Sequence, residues 1–417
     1  MDIRIRHHSR ILQGEITLES SKSVSNRVLI IQALCRQPFR IENISRAEDT
    51  VVLQGLLHQG GNTYNCGAGG TTFRFLTALL AMKPGTQIIT GTTGLQKRPI
   101  GELVRCLRGL GAKIEYLGNE GFPPLRVAEP NFSDAKNAIE IDASVSSQFV
   151  SALLMIAPEL PGGLKLKLSN AIASEPYIEM TLQLMQHFGA TFTREKGQII
   201  IAPQKYKARD IQIEADWSGA SYYYAAAALA EQADFQLNGL FENSFQGDSV
   251  IRELGKQFGV QTIFNSRGAQ LVKKAEKELT TFEYDFLKHP DLAQTLAVLV
   301  AAKGVSGLFS GIESLKIKET DRVAAIKQEL AKAGVYMSEL PERFSRDKSK
   351  KFYMIEGSLR SGEIEVETYD DHRMALCFFP LALRQPVLIK SAEVVSKSYP
   401  NVWSDLEKLG FVIEYFN

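Results

Sequence analysis

The sequence predicts an α/β protein of two lobes, each built from three copies of one small α+β unit, and three observations carry that expectation. Amphipathic helices that stop on a glycine and run into an alternating strand recur along the chain. Interleaved with them is a second series of helices that open on Ser, Thr or Asp and then become apolar on every side, as buried helices do. At 417 residues the chain is too long for one core, which divides the copies between two lobes.

The first residues, MDIRIRHHSR, alternate like a strand, and the segment Asp2 to Arg10 is short enough to join the C-terminal lobe. The helix–glycine–strand pattern appears near Thr50 to Tyr64, then as IGELVRCLRGLGAKIEY, PYIEMTLQLMQHFGATF, DSVIRELGKQFGVQTI, DRVAAIKQELAKAGVYM and VWSDLEKLGFVIEY. Gly111, Gly189, Gly259, Gly334 and Gly410 stand where a left-handed residue ends a helix. The apolar helices follow Ser23, Gly70-Thr71, Ser146-Ser147-Gln148, Asp216, Asp291 and His372. Each copy then spans roughly 60 to 75 residues. A boundary near Ala215-Asp216 gives a first lobe of residues 21–215 and a second of 1–20 with 216–417. The chain would cross between lobes near Ser20 and near Ala215, a connection suited to hinge closure over a ligand.

Composition narrows the function. Lys and Arg number 48 against 47 Asp and Glu, so no net field favours nucleic acid or an anionic membrane, and any anion preference is local. No apolar run approaches the roughly 20 residues of a membrane span, and the charged start does not read as a secretory signal. Cys35, Cys66, Cys106 and Cys377 lack metal-ligand spacing and read as free thiols of a reducing compartment. The expectation from composition is a soluble, cytoplasmic protein that partners neither nucleic acid nor membrane.

The chemistry sits at helix starts, where unpaired backbone N–H groups and a partial positive charge attract anions. Ser20-Ser21-Lys22-Ser23-Val24-Ser25-Asn26-Arg27 sets two cations and several hydroxyls at one such start. Taken alone it could equally be an N-cap beside two solvated charges. Gly67-Ala68-Gly69-Gly70 permits close backbone approach at a second start, where glycine also serves ordinary tight turns. Lys97-Arg98-Pro99 precedes a third helix, with Pro99 suited to the first helical position. Ser144 to Gln148 and Ser174-Glu175-Pro176-Tyr177 are hydroxyl-rich starts that could simply be caps. In the second half, Asp291 is a candidate N-cap or an active carboxylate, and Lys318-Glu319-Thr320-Asp321-Arg322 is the densest charge cluster. Asp370-Asp371-His372-Arg373 places four polar groups before an apolar run, and Lys397 completes the set.

KSVSNR, RPIGEL, SVSSQF, SEPYIEMT, KETDR, DDHRMA and SKSYP occur in this order and at separations that resemble the 5-enolpyruvylshikimate-3-phosphate synthase family, from about Ser21 to Pro400. The resemblance implies an inside-out α/β barrel in each lobe, with three βαβαββ units around buried parallel helices. It implies transfer of the enolpyruvyl group of phosphoenolpyruvate to the 5-hydroxyl of shikimate 3-phosphate in the shikimate pathway. Carried over by position, Lys22, Ser23, Arg27, Ser146, Ser147, Gln148, Ser174, Tyr177, Asp291, Ser314 and Lys318 would bind shikimate 3-phosphate. Lys22, Gly70, Arg98, Gln148, Arg322, Arg373 and Lys397 would bind phosphoenolpyruvate, with arginine forks suiting its carboxylate and phosphate. Lys22, Asp291 and Glu319 would be catalytic.

Three positions depart from the family pattern. Ala68 and Ser314 stand where asparagine is usual, and Phe75 where proline is common, which bears on phosphoenolpyruvate affinity and glyphosate response. The sister family acting on UDP-N-acetylglucosamine has asparagine after the first lysine and a cysteine in a mobile loop. Here Ser23 follows Lys22, and Gly91 to Ile100 contains no cysteine. A non-catalytic anion-binding protein of the same fold would have no use for Asp291 and Glu319.

Overall fold

The computed structural model describes residues 1–132, 137–170, 172–275 and 278–416. They form two compact units, one continuous (Ser21–Ile213) and one split (Met1–Ser20 with Glu214–Asn417).

One motif recurs within each unit. In the continuous unit, Thr63–Asn65 pairs in parallel with Gln87–Thr90, and the apolar helix Gly70–Leu80 connects them. The amphipathic helix Gly101–Gly109 then leads to Lys113–Tyr116 and Leu125–Ala128, and the latter returns antiparallel to Gln87–Thr90. Numbered along the chain, the four strands lie in the order first, second, fourth, third. Ala138–Asp142, Leu164–Ser169, Thr193–Glu195 and Gln198–Ile201 repeat that order around the buried helix Ser147–Ile156. A third copy is abbreviated: Ile41–Glu42 and Ile211–Gln212 form a two-stranded parallel pair beside Lys22–Leu34.

The split unit carries three complete copies. Its first begins on Ile11–Thr17, which pairs in parallel with Gln232–Asn238, so the whole continuous unit is inserted between a strand and its buried helix, Trp217–Leu229. The second is built on Ala293–Lys303 and the third on His372–Phe378. Asp2–Arg6 completes the last sheet, with Ile3 opposite Ile389 on one side and Tyr415 on the other. The expected strand Asp2 to Arg10 ends at Arg6, because Arg10 turns left-handed (φ 55°) and its N–H bonds His7 Nδ1 at 3.0 Å.

Helix ends follow residue chemistry. The five glycines expected as stops all have positive φ, between 74° for Gly259 and 96° for Gly111. Pro99 falls just before Ile100, the N-cap of Gly101–Gly109, rather than at the first helical position. Asp291 does not cap its helix either: it lies in the 3-10 turn Pro290–Leu292, and Leu292 precedes the α-helix.

The apolar helices are buried as their composition requires. Trp217–Leu229 has alanines that allow close packing and three tyrosines, Tyr222, Tyr223 and Tyr224, whose hydroxyls all find partners. Three cysteines are buried, Cys35 is half-buried, and all four are free thiols. Among the described residues no helix is long and apolar enough to cross a membrane.

Leu296, fully buried on Ala293–Lys303, tests this core. Leu296→Ala is expected to lower the unfolding free energy by about 2–5 kcal/mol, measured as a shift in urea midpoint at constant slope.

Candidate active site

In the continuous unit, four helix starts and one loop arginine are tied together by side chains. Ser21 caps Lys22–Leu34, its hydroxyl accepting from Val24 N, which places Lys22 and Ser23 in the first turn, half-buried. Lys22 Nζ lies 3.2 Å from Asp49 Oδ2. Gly69 precedes Gly70–Leu80 without a side-chain cap, and the Arg98 guanidinium packs so closely on Gly70 that a Cβ there would collide with it. Ser146 caps Ser147–Ile156 through Gln148 N at 3.3 Å. Gln148 bonds Thr71 Oγ1 at 3.0 Å and accepts from Arg74, which stacks over Phe149. Ser147 is buried beside it.

Of the expected ligands, Arg27 also fastens helices together, and Ser174 stands at a helix start without capping it. Arg27 is 1% exposed and donates to Thr181 Oγ1 (2.7 Å), Ser23 O (2.9 Å), Ser151 Oγ (3.1 Å) and Tyr177 O (3.3 Å). Its charge lies over the rings of Phe75 and Tyr177, and burial pulls its pKa down to about 10. Arg27 therefore knits three helices together. Ser174 is left-handed (φ 57°) and makes no side-chain cap, while its carbonyl accepts from Tyr177 N at 3.0 Å.

The split unit gathers its charges around Arg322, which is 2% exposed. Nε bonds Asp371 Oδ2 at 2.6 Å, Nη1 bonds Asp291 Oδ1 at 3.2 Å, and Nη2 bonds Glu319 Oε2 at 2.7 Å. Burial opposes this charge, but the three carboxylates outweigh burial and raise the arginine's pKa. Arg373 reaches the same cluster, with Nη2 3.0 Å from Asp291 Oδ2 and Nη1 3.4 Å from the Tyr222 hydroxyl. Asp371 both holds Arg322 and caps His372–Phe378 through Arg373 N at 2.8 Å. Asp291, freed from capping, thus joins two guanidinium groups. Lys397 bonds the Asp370 carbonyl at 2.9 Å. Ser314 and Lys318 lie half-buried on the 3-10 turn Glu313–Ile317 and directly after it.

Asp49, Arg74, Asp248 and Asp371 belong to these clusters but were not singled out from sequence. Asp49 looks like an ordinary acidic residue in a first turn. Asp371 lies inside DDHRMA with no role marked by its neighbours, and Arg74 lies one turn into an otherwise apolar helix. Asp248 opens the repeat DSVIRELGKQFGVQTI, where it looks like an ordinary acid at a helix start; it accepts from Ser218, and burial, with the Asp291 charge next, pushes it up to about 7. Glu214 has a related environment. It accepts from Ser244 Oγ and Phe245 N at 2.9 Å each, yet burial pushes its carboxyl up to about 7. The neighbouring Gln246 bonds Ala215 O and Trp217 N, steadying the start of Trp217–Leu229.

A family model described as EPSP synthase (3-phosphoshikimate 1-carboxyvinyltransferase) matches residues 53–406. A 3-phosphoshikimate 1-carboxyvinyltransferase of Bacteroides fragilis is 44% identical over 407 residues, 97% of each chain. One from Sulfurovum is 34% identical, covering 96% of this chain and 97% of the other. In solved structures, EPSP synthase from Acinetobacter baumannii matches 99% of this chain and all of its own at TM-score 0.78 and 21% identity. The enolpyruvyl transferase NikO from Streptomyces tendae matches all of this chain and 99% of its own at TM-score 0.74 and 14% identity, a likeness of fold.

Removing one member of a buried charge cluster strands the others. Asp371→Ala is expected to destabilise the protein by about 3–5 kcal/mol in urea unfolding. Glu214 gives a pH signature. Its folded pKa is raised from 4.5 to about 7, so its favourable contribution is complete below 4.5 and is lost as pH climbs toward 7. Glu214→Gln should remove a fall in unfolding free energy on the order of 3 kcal/mol across that window, read as the difference between wild-type and variant urea curves.

Proposed function

Because this chain belongs to the EPSP synthase family, we propose that it is a 3-phosphoshikimate 1-carboxyvinyltransferase, joining phosphoenolpyruvate to the 5-hydroxyl of shikimate 3-phosphate and releasing phosphate. The observation that carries the reading at the level of residues is Arg322, which holds Asp291 and Glu319 on one guanidinium. The reaction needs two proton carriers in fixed relation. One accepts the hydroxyl proton as that oxygen attacks C2 of the enol, and the other donates a proton to the methylene carbon.

Asp291 takes the first role and Glu319 the second, giving a tetrahedral phosphoketal. Glu319 then recovers a proton from the new methyl group as the C–O bond to phosphate breaks. Lys22 stabilises charge on the bridging oxygen, and Arg98, Arg322, Arg373 and Lys397 meet the carboxylate and phosphate. An acid catalyst must carry a proton, so Glu319 has to loosen its ion pair with Arg322. Substrate anions competing for the same guanidinium provide that release. Gln148, Ser146, Ser147, Ser23, Ser174, Tyr177, Ser314 and Lys318 serve shikimate 3-phosphate, and Arg27 shapes that surface from behind.

In this reading the protein is a cytoplasmic monomer that needs neither metal nor cofactor, because arginine and lysine neutralise the phosphates.

Purified protein given shikimate 3-phosphate and phosphoenolpyruvate, without added metal, is expected to release phosphate. Lys22→Ala and Glu319→Ala should each reduce turnover by about 100-fold or more. Turnover with UDP-N-acetylglucosamine in place of shikimate 3-phosphate would move the protein to the sister reaction.

A further inference from the structure

Lys22 is asked to stand at the reacting oxygen, but a lysine side chain is a long flexible stem with three rotatable donors. Something must aim it. The Asp49 carboxylate lies 3.2 Å from Nζ, and the two side chains are only 19% and 17% exposed, so water competes weakly for the pair.

Asp49 is itself held from several directions. Its backbone carbonyl accepts from Thr72 Oγ1 at 2.8 Å, fixing it to the first turn of Gly70–Leu80. Its neighbour Thr50 donates to Asn26 Oδ1 at 2.8 Å, tying Glu48–His58 to the helix that carries Lys22. Its carboxylate occupies the first turn of its own helix, where the dipole favours it. The other carboxylate oxygen faces Gly69, where a Cβ would come within 3.1 Å of it. Three helix starts therefore converge on one carboxylate, and that carboxylate points at the lysine.

We propose that Asp49 is a positioning residue for the transfer reaction: it occupies one donor direction of the Lys22 ammonium and orients the remaining two toward the substrate oxygens. This rests on the reading of Lys22 given above. Acting through Lys22, Asp49 governs how well the ammonium is aimed in the transition state more than how tightly shikimate 3-phosphate binds.

The test compares kcat, KM for each substrate and the melting transition in wild type, Asp49→Asn and Asp49→Glu. Wild-type phosphate release comes first; its absence would remove the proposed function and this inference with it. With wild type active, Asp49→Asn is expected to lose about tenfold or more in kcat, with KM for shikimate 3-phosphate within about threefold and melting little changed. Asp49→Glu, which restores the carboxylate, is expected to recover to within about threefold of wild type. Turnover of Asp49→Asn within twofold of an active wild type sinks the positioning role alone. Should Asp49→Asn fail to fold, Asp49→Glu decides: near-normal turnover supports the proposal, and a tenfold loss with unchanged melting overturns it.

Discussion

A buried guanidinium cannot stand without compensating charge, and Arg322 is compensated by three carboxylates at once. That requirement organises the charge cluster of the split unit. Asp371 gives Arg322 its fully buried partner and caps the next helix, so the start of His372–Phe378 is fixed relative to Arg322–Lys332. Asp291 extends the network to Arg373, and Glu319 sits three residues before Arg322 on the approach to its helix. The two carboxylates proposed as proton carriers, Asp291 and Glu319, are therefore held by the same interaction that makes the local fold tenable.

The continuous unit solves the converse problem by different means. Its central cation, Arg27, is surrounded by hydroxyls, carbonyls and aromatic faces, and burial lowers its pKa. Neutral oxygens spread over three helices hold it, so it acts as a fastener. The cations proposed to meet substrate are Lys22, paired with Asp49, and Arg98, packed on a glycine that leaves room for it. Anionic substrates would thus meet rigid, partly satisfied donors, which lowers the cost of ordering them on binding.

Much of this was legible in the chain. Apolar helices alternating with glycine-terminated amphipathic ones announced the repeat, since each period dictates which face is buried and each glycine dictates a left-handed stop. Other features were not legible because they depend on partners remote in sequence. Nothing near Asp291 says that it will leave its capping position for Arg322 and Arg373. Nothing near Arg27 says that Thr181 and Ser151 will enclose it. Asp49 resembles any acid in a first helical turn until Lys22 is seen beside it.

The sequence by itself determined the periodicity, the helix stops and the residue types gathered at each helix start, because these follow from local backbone preference and from which side chains leave water. Only the tertiary structure decided that Asp2–Arg6 closes the last sheet, that one copy keeps only a parallel strand pair, and which charges pair with which. Those outcomes turn on distances between segments far apart in the chain. Ion pairing and desolvation depend on such distances and on burial, and neither is written in the order of residues.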